Sequence, residues 1–332
     1  MRVASNFFRR ATGDAGDGEV TFAPANADCE TLNRRYGAPE RIVFRPSKHD
    51  VPVVVLANQY GTAEIAMFGA QTISYRPTGN PPVLFMPRPY DVHPAGDEIH
   101  GGIPVCWPWF AAQGEPGSKK HGLARYMAWH VVGSEYSEDI SEITLGLESS
   151  ADSHKVWPYD FRLELKASIS MKLTLALKAT NTDCKPFFVT EGFHPYLRVK
   201  DRDQTEVLGV DGCEFTDTNE PGIGPRTWTG AYAVRTGGSK LFDVTKREHV
   251  LMDNGLRRAI ALVSRGNRRL VVWNPGEESA GRVEDFGPNG WRQFVCVEPA
   301  TTGRDVGYEL KPGETHELVM AVQSVPDGGE GA

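Results

Sequence analysis

Between Phe161 and Lys178 the chain alternates. Phe161, Leu163, Leu165, Ile169, Met171, Leu173, Leu175 and Leu177 are apolar, while Arg162, Glu164, Lys166, Ser168, Lys172 and Thr174 are polar. A period of two puts one set of side chains in a core and the other in water, which is the signature of β structure. The run is longer than an ordinary strand, so it predicts either the two arms of a hairpin or one long bent strand of a large antiparallel sheet. Shorter alternations or apolar runs recur at 51–56, 64–67, 143–147, 270–273, 294–297 and 318–322, and 35 glycines and 23 prolines punctuate the intervals. The expectation is an all-β chain with few short helices. The best helical candidate is Asp28 to Tyr36, closed by Gly37.

Composition narrows the function classes. A net charge of -7 is the wrong sign for neutralising a run of nucleic-acid phosphates, although a local Arg or Lys pair can still hold one small anion. The longest strongly apolar run, 51–57, contains Pro52 and is far short of a membrane-spanning helix. Cys29, Cys106, Cys184, Cys213 and Cys296 are scattered without a zinc-type spacing, so they read as buried thiols of a reducing compartment, by default the cytoplasm. The first residues carry Arg2, Arg9, Arg10 and Phe7-Phe8, a weak echo of an organelle presequence. The glycine-rich stretch after them favours a disordered leader over 1–28. One β domain is expected over 29–325, with a flexible tail at 326–332.

No nucleotide-type glycine loop occurs, which removes kinase and dehydrogenase readings. Three turn-rich segments stand out. The first is Ile99-His100-Gly101-Gly102-Ile103-Pro104-Val105-Cys106-Trp107-Pro108-Trp109-Phe110, followed by His121-Gly122-Leu123-Ala124-Arg125. Its glycines would let the backbone approach a ligand and its rings could face a sugar, or it is a tight turn feeding an aromatic core. The second is Glu191-Gly192-Phe193-His194-Pro195, which sets a histidine at a strand end, either structural or open to a cleft. The third is Phe294-Val295-Cys296-Val297-Glu298-Pro299, where alternation puts Phe294, Cys296 and Glu298 on one face and a carboxylate closes an apolar strand. A further cluster, His93, Asp97, Glu98 and His100, could bind a divalent ion but reads more simply as a solvated turn.

Together with Gly69-Ala70, Trp273-Asn274-Pro275 and Asp285-Phe286-Gly287, these segments resemble in order the hexose-6-phosphate mutarotases, or glucose-6-phosphate 1-epimerases, of the aldose 1-epimerase superfamily. The resemblance runs from about Leu32 to Val322. It implies a large antiparallel β-sandwich of the galactose mutarotase-like kind, with His194 and Glu298 as the catalytic pair. Such an enzyme opens the sugar ring by removing the C1 hydroxyl proton while protonating the ring oxygen, so one base and one acid suffice without metal or cofactor. Reference pKa values make Glu298 the ionised base and His194 the protonated acid. The remaining binding candidates are His100, Lys120, His121, Arg125 and Glu248.

Two departures bear on the substrate. His100 stands where the family usually has Arg, which replaces a planar fork with at most two donors, and Lys120 stands where part of the family has Gln. Glu248 aligns with a sugar-holding Asp across a one-residue gap; otherwise it is a solvated charge in Lys246-Arg247-Glu248-His249. The expected partner is a small sugar or sugar phosphate, bound by a monomer, with no nucleic acid and no membrane. The alternatives are a mutarotase of non-phosphorylated sugars and a non-catalytic carbohydrate-binding or regulatory protein on the same fold.

Overall fold

The structure is a computed structural model, and it describes residues 9–11, 28–87, 99–112, 114, 118–244, 246–281, 284–303 and 306–326. The leader expected over 1–28 lies outside these residues except for 9–11, which pair as a short strand with His130–Tyr136, and for Asp28. Of the expected tail only Pro326 is described, and it ends the last strand.

The alternating run resolves into a hairpin. Strands Phe161–Ile169 and Leu173–Asn181 pair antiparallel, with every odd residue of both arms buried. Met171 departs from the pattern: it falls in the turn and is exposed, because the period breaks where the chain reverses. The other apolar segments also lie on strands: Pro52–Asn58, Gly61–Ala66, Ser141–Glu148, Arg269–Asn274, Phe294–Thr301 and Thr315–Pro326. The predicted helix spans Cys29–Tyr36, with the Asp28 carboxylate accepting from Thr31 N–H and Gly37 as the C-terminal cap. The only other α-helices among the described residues are single turns at Ala151–His154 and Gly276–Ala280.

Two large antiparallel sheets form the sandwich. A ten-stranded sheet has the 161–181 hairpin near its centre and continues through Thr315–Pro326, Arg258–Arg265 and Glu248–Asp253. In the eight-stranded sheet Gly238–Asp243, Arg269–Asn274, Phe294–Thr301, Glu191–Phe193 and Val105–Cys106 are successive neighbours, and Tyr196–Arg198 also pairs with Phe294–Thr301. One core cluster fills the space between the sheets, taking Leu165, Leu177 and Met320 from the first and Val295 and Val297 from the second.

All eight residues of Phe294–Thr301 are buried, which explains why the strand reads as a continuous apolar run. Val295 and Val297 enter the core between the sheets. Phe294 and Cys296 belong to a separate cluster with Phe85, Tyr196, Phe286 and Trp291, contributed by segments that cover the outer face of this sheet. The site lies under that cover. No helix among the described residues is long and apolar enough to cross a membrane.

Candidate active site

Strand register brings the histidine and the glutamate together. Gly192 pairs with Ala300 and Tyr196 with Cys296, so His194, on the link between two short strands, falls opposite Glu298. The backbone there is held by His194 N–H donating to Pro104 O at 3.1 Å and Tyr196 N–H to Gly102 O at 2.8 Å. The paired glycines therefore dock the His100–Pro104 segment against the histidine link. His194 Nε2 lies 3.6 Å from Glu298 Oε2 at the bottom of a pocket of about 360 Å³.

Glu298 does not close its strand. The strand continues through Pro299 to Thr301, and the carboxyl is 1 % exposed. Oε2 has no hydrogen-bond partner among the described residues, and burial pushes the carboxyl well above the ordinary carboxylate range. The expectation of a glutamate ionised at its reference value is therefore corrected, because desolvation disfavours the charged form. At 3.6 Å, His194 Nε2 is the nearest proton-carrying nitrogen that the ion-pair geometry sets against this carboxyl.

Rings wall the pocket. Tyr196 stacks on the His194 ring, with centroids 4.8 Å apart and an interplanar angle of 12°, and Trp273 meets it edge-on at 5.5 Å. Both reach the site by register, since Tyr196 and Trp273 each pair with Cys296 from opposite sides. Phe110 and Phe286 also line the pocket. Trp107, by contrast, is fully buried in the core between the sheets, so the aromatic segment divides between core and site.

His121 lies beside His194, with ring centroids 5.1 Å apart. Ala111 N–H donates to its Nδ1 at 3.3 Å, and Cys106 Sγ lies 3.3 Å from the same nitrogen. Arg125 is buried and donates to Ile99 O, whereas Lys120 is exposed at the mouth; both line the pocket. His100 also lines it, and its Nδ1 lies 2.7 Å from Asp285 Oδ2. The position that lacks the family's Arg thus carries a His–Asp pair.

Six of the seven candidates, His194, Glu298, His100, Lys120, His121 and Arg125, line this one pocket. Glu248 does not. It lies exposed on the ten-stranded sheet, beside a second, shallow depression lined by Gly209, Lys246 and Arg247. Its strand belongs to the other layer, and its reading as a solvated charge stands. His93, Asp97 and Glu98 lie outside the described residues. Ser239, which also lines the pocket, lies on the strand Gly238–Asp243 opposite Trp273, and gave no signal in the sequence. Asp285 could have been suspected from the retained Asp-Phe-Gly motif, but not its pairing with His100. The thiols need one correction: Cys106, Cys213 and Cys296 are buried, Cys29 is half-buried and Cys184 is exposed.

The aldose 1-epimerase family model matches residues 52–323. A Salmonella typhimurium protein named "Putative glucose-6-phosphate 1-epimerase" is 28% identical over 294 residues, covering 85% of this chain and 94% of its own. An Escherichia coli protein of the same name is 29% identical over 269 residues, covering 78% and 86%. The crystal structure of a "putative mutarotase" from Salmonella typhimurium superposes with a TM-score of 0.79 at 25% identity, covering 86% of this chain and 94% of that one.

Proposed function

Because the chain belongs to the aldose 1-epimerase family, we propose that it interconverts the α and β anomers of a hexose 6-phosphate such as glucose 6-phosphate, with Glu298 and His194 as its base and acid. The observation that carries this reading is the buried His194–Glu298 pair lining the pocket, with Nε2 and Oε2 3.6 Å apart.

A Glu–His pair that holds one proton contains both an acceptor and a donor. In the carboxylate–imidazolium form, Glu298 takes the proton from the C1 hydroxyl as His194 gives its proton to the ring oxygen, and the C1–O5 bond breaks to leave an open-chain aldehyde. Rotation about C1–C2 presents the other face of the carbonyl. Reclosure then returns the proton from the C5 hydroxyl to His194 and from Glu298 to the new C1 hydroxyl, so the pair ends as it began. The sugar hydroxyl replaces the solvent that burial removed from Glu298, which favours the charged form when substrate is bound. Trp273 and Tyr196 give the pocket aromatic walls, and Lys120 and Arg125 offer positive charge to a phosphate.

The test is one-dimensional exchange NMR between the anomers of glucose 6-phosphate, with glucose and galactose alongside and the spontaneous rate subtracted. His194→Ala and Glu298→Gln are each expected to lower the catalysed rate by roughly 10²–10⁴-fold. The acid limb of the wild-type pH profile is expected above the ordinary carboxylate range, since burial raises the Glu298 carboxyl. Lys120→Ala is expected to raise KM for the phosphate ester and leave that for glucose unchanged. Binding of sugar without exchange would replace this reading with that of a carbohydrate-binding protein.

A further inference from the structure

The strand that carries Glu298 also carries Cys296, two residues away on the same face. With His194 across the ladder, this sets one nitrogen, one sulfur and one carboxylate oxygen within 4.8 Å of one another, all three residues buried. The contact between His194 Nε2 and Glu298 Oε2, at 3.6 Å, is too long for a good hydrogen bond. It is close to the ~3.4 Å that separates two ligand atoms each about 2.0–2.1 Å from one tetrahedral zinc. Sulfur at its usual bond length of about 2.3 Å would lie ~3.6 Å from the nitrogen, within reach of small side-chain rotations.

We propose that His194, Cys296 and Glu298 form a binding site for a thiophilic divalent cation of the zinc type, and that the ion inhibits the enzyme by occupying its acid and base. The donor set is of mixed softness, which suits Zn²⁺ rather than Mg²⁺ or Ca²⁺. Three protein ligands leave a fourth position facing the pocket, where water or a sugar hydroxyl completes the shell. Glu298 Oε2, 1 % exposed and without a hydrogen-bond partner among the described residues, is the oxygen such an ion would satisfy. Tyr196, stacked on His194, holds the imidazole in place. The site itself stands on geometry alone, whereas the inhibitory consequence rests on the acid–base reading above.

Cobalt(II) is the probe, added to the full chain carrying Cys184→Ser so that the exposed thiol does not contribute. One equivalent is expected to bind with a near-ultraviolet thiolate-to-cobalt absorption. That band should be lost on adding Cys296→Ala or Cys296→Ser, and lost again when Zn²⁺ displaces the cobalt. Zn²⁺ should slow anomer exchange reversibly, with a chelator restoring it. Relative to its own rate without metal, Cys296→Ala should need at least ~10-fold more Zn²⁺ for the same fractional slowing. Absence of the band, or its persistence in both Cys296 variants, overturns the site. A band in a protein without anomer exchange overturns the catalytic reading and leaves the metal site standing; exchange that Zn²⁺ leaves untouched despite the band overturns the inhibition.

Discussion

His249 shows how far one side chain can depart from its ordinary chemistry outside the pocket. It follows the exposed Glu248 on its strand but points inward, is 1 % exposed, and has no hydrogen-bond partner for either ring nitrogen among the described residues. Burial first, and the charge of Lys246 second, push its pKa down to about 4. The unfolded chain takes up this proton near the ordinary value of about 6.5, so below that pH the unfolded state binds more protons and stability falls. The loss begins near pH 6.5 and levels off near pH 4, reaching about 3 kcal/mol from this group. His249→Phe is expected to flatten that part of the profile. Urea unfolding at pH 8 and pH 5 checks it, and a wild-type-sized drop retained in the variant would remove His249 as the cause.

At the scale of elements, the hairpin was legible residue by residue because one face is wet and one is buried, and the strand with Glu298 was legible as an apolar run because both faces are buried. Alternation also put Cys296 and Glu298 on one face correctly. Alternation cannot say which sheet a strand joins, so it offers no check on the Glu248 alignment, which rests on the resemblance across a one-residue gap; its strand lies in the other layer. Nor does it report loop geometry such as that around Gly122. There the chain runs with positive φ at His121 and Gly122, and Leu123 N–H and Ala124 N–H both donate to Trp107 O. A Cβ on Gly122 would run into that same carbonyl oxygen. Gly122→Ala is expected to cost about 1–3 kcal/mol and to lower anomer exchange by displacing His121. Gly313→Ala is the control, since Gly313 shares a positive φ but faces open space. It should show only the backbone cost and leave exchange unaltered; equal losses in the two variants would mean that the collision plays no part.

For the molecule as a whole, the site depends on how the two sheets are held together at the end near His194. Arg258, on the ten-stranded sheet, is 3 % exposed and donates to the carbonyls of Pro81 and Pro82, and to that of Arg198 on the short strand that begins at Tyr196. Its Nε lies 3.4 Å from Oδ2 of the fully buried Asp253. One guanidinium thus ties the ten-stranded sheet to the strand that begins at Tyr196, a role invisible in sequence because its carbonyl partners lie 60, 176 and 177 residues away. Removing it would leave a buried carboxylate without its cation and three carbonyls without a donor. Arg258→Ala is therefore expected to destabilise by about 3–5 kcal/mol. Adding Asp253→Asn should recover part of that loss, because the uncompensated charge goes with it. Urea midpoints of the two single variants and the double variant measure the coupling. If the double variant loses the sum of the two single losses, the pair is not coupled, and the carbonyl contacts alone account for the clamp.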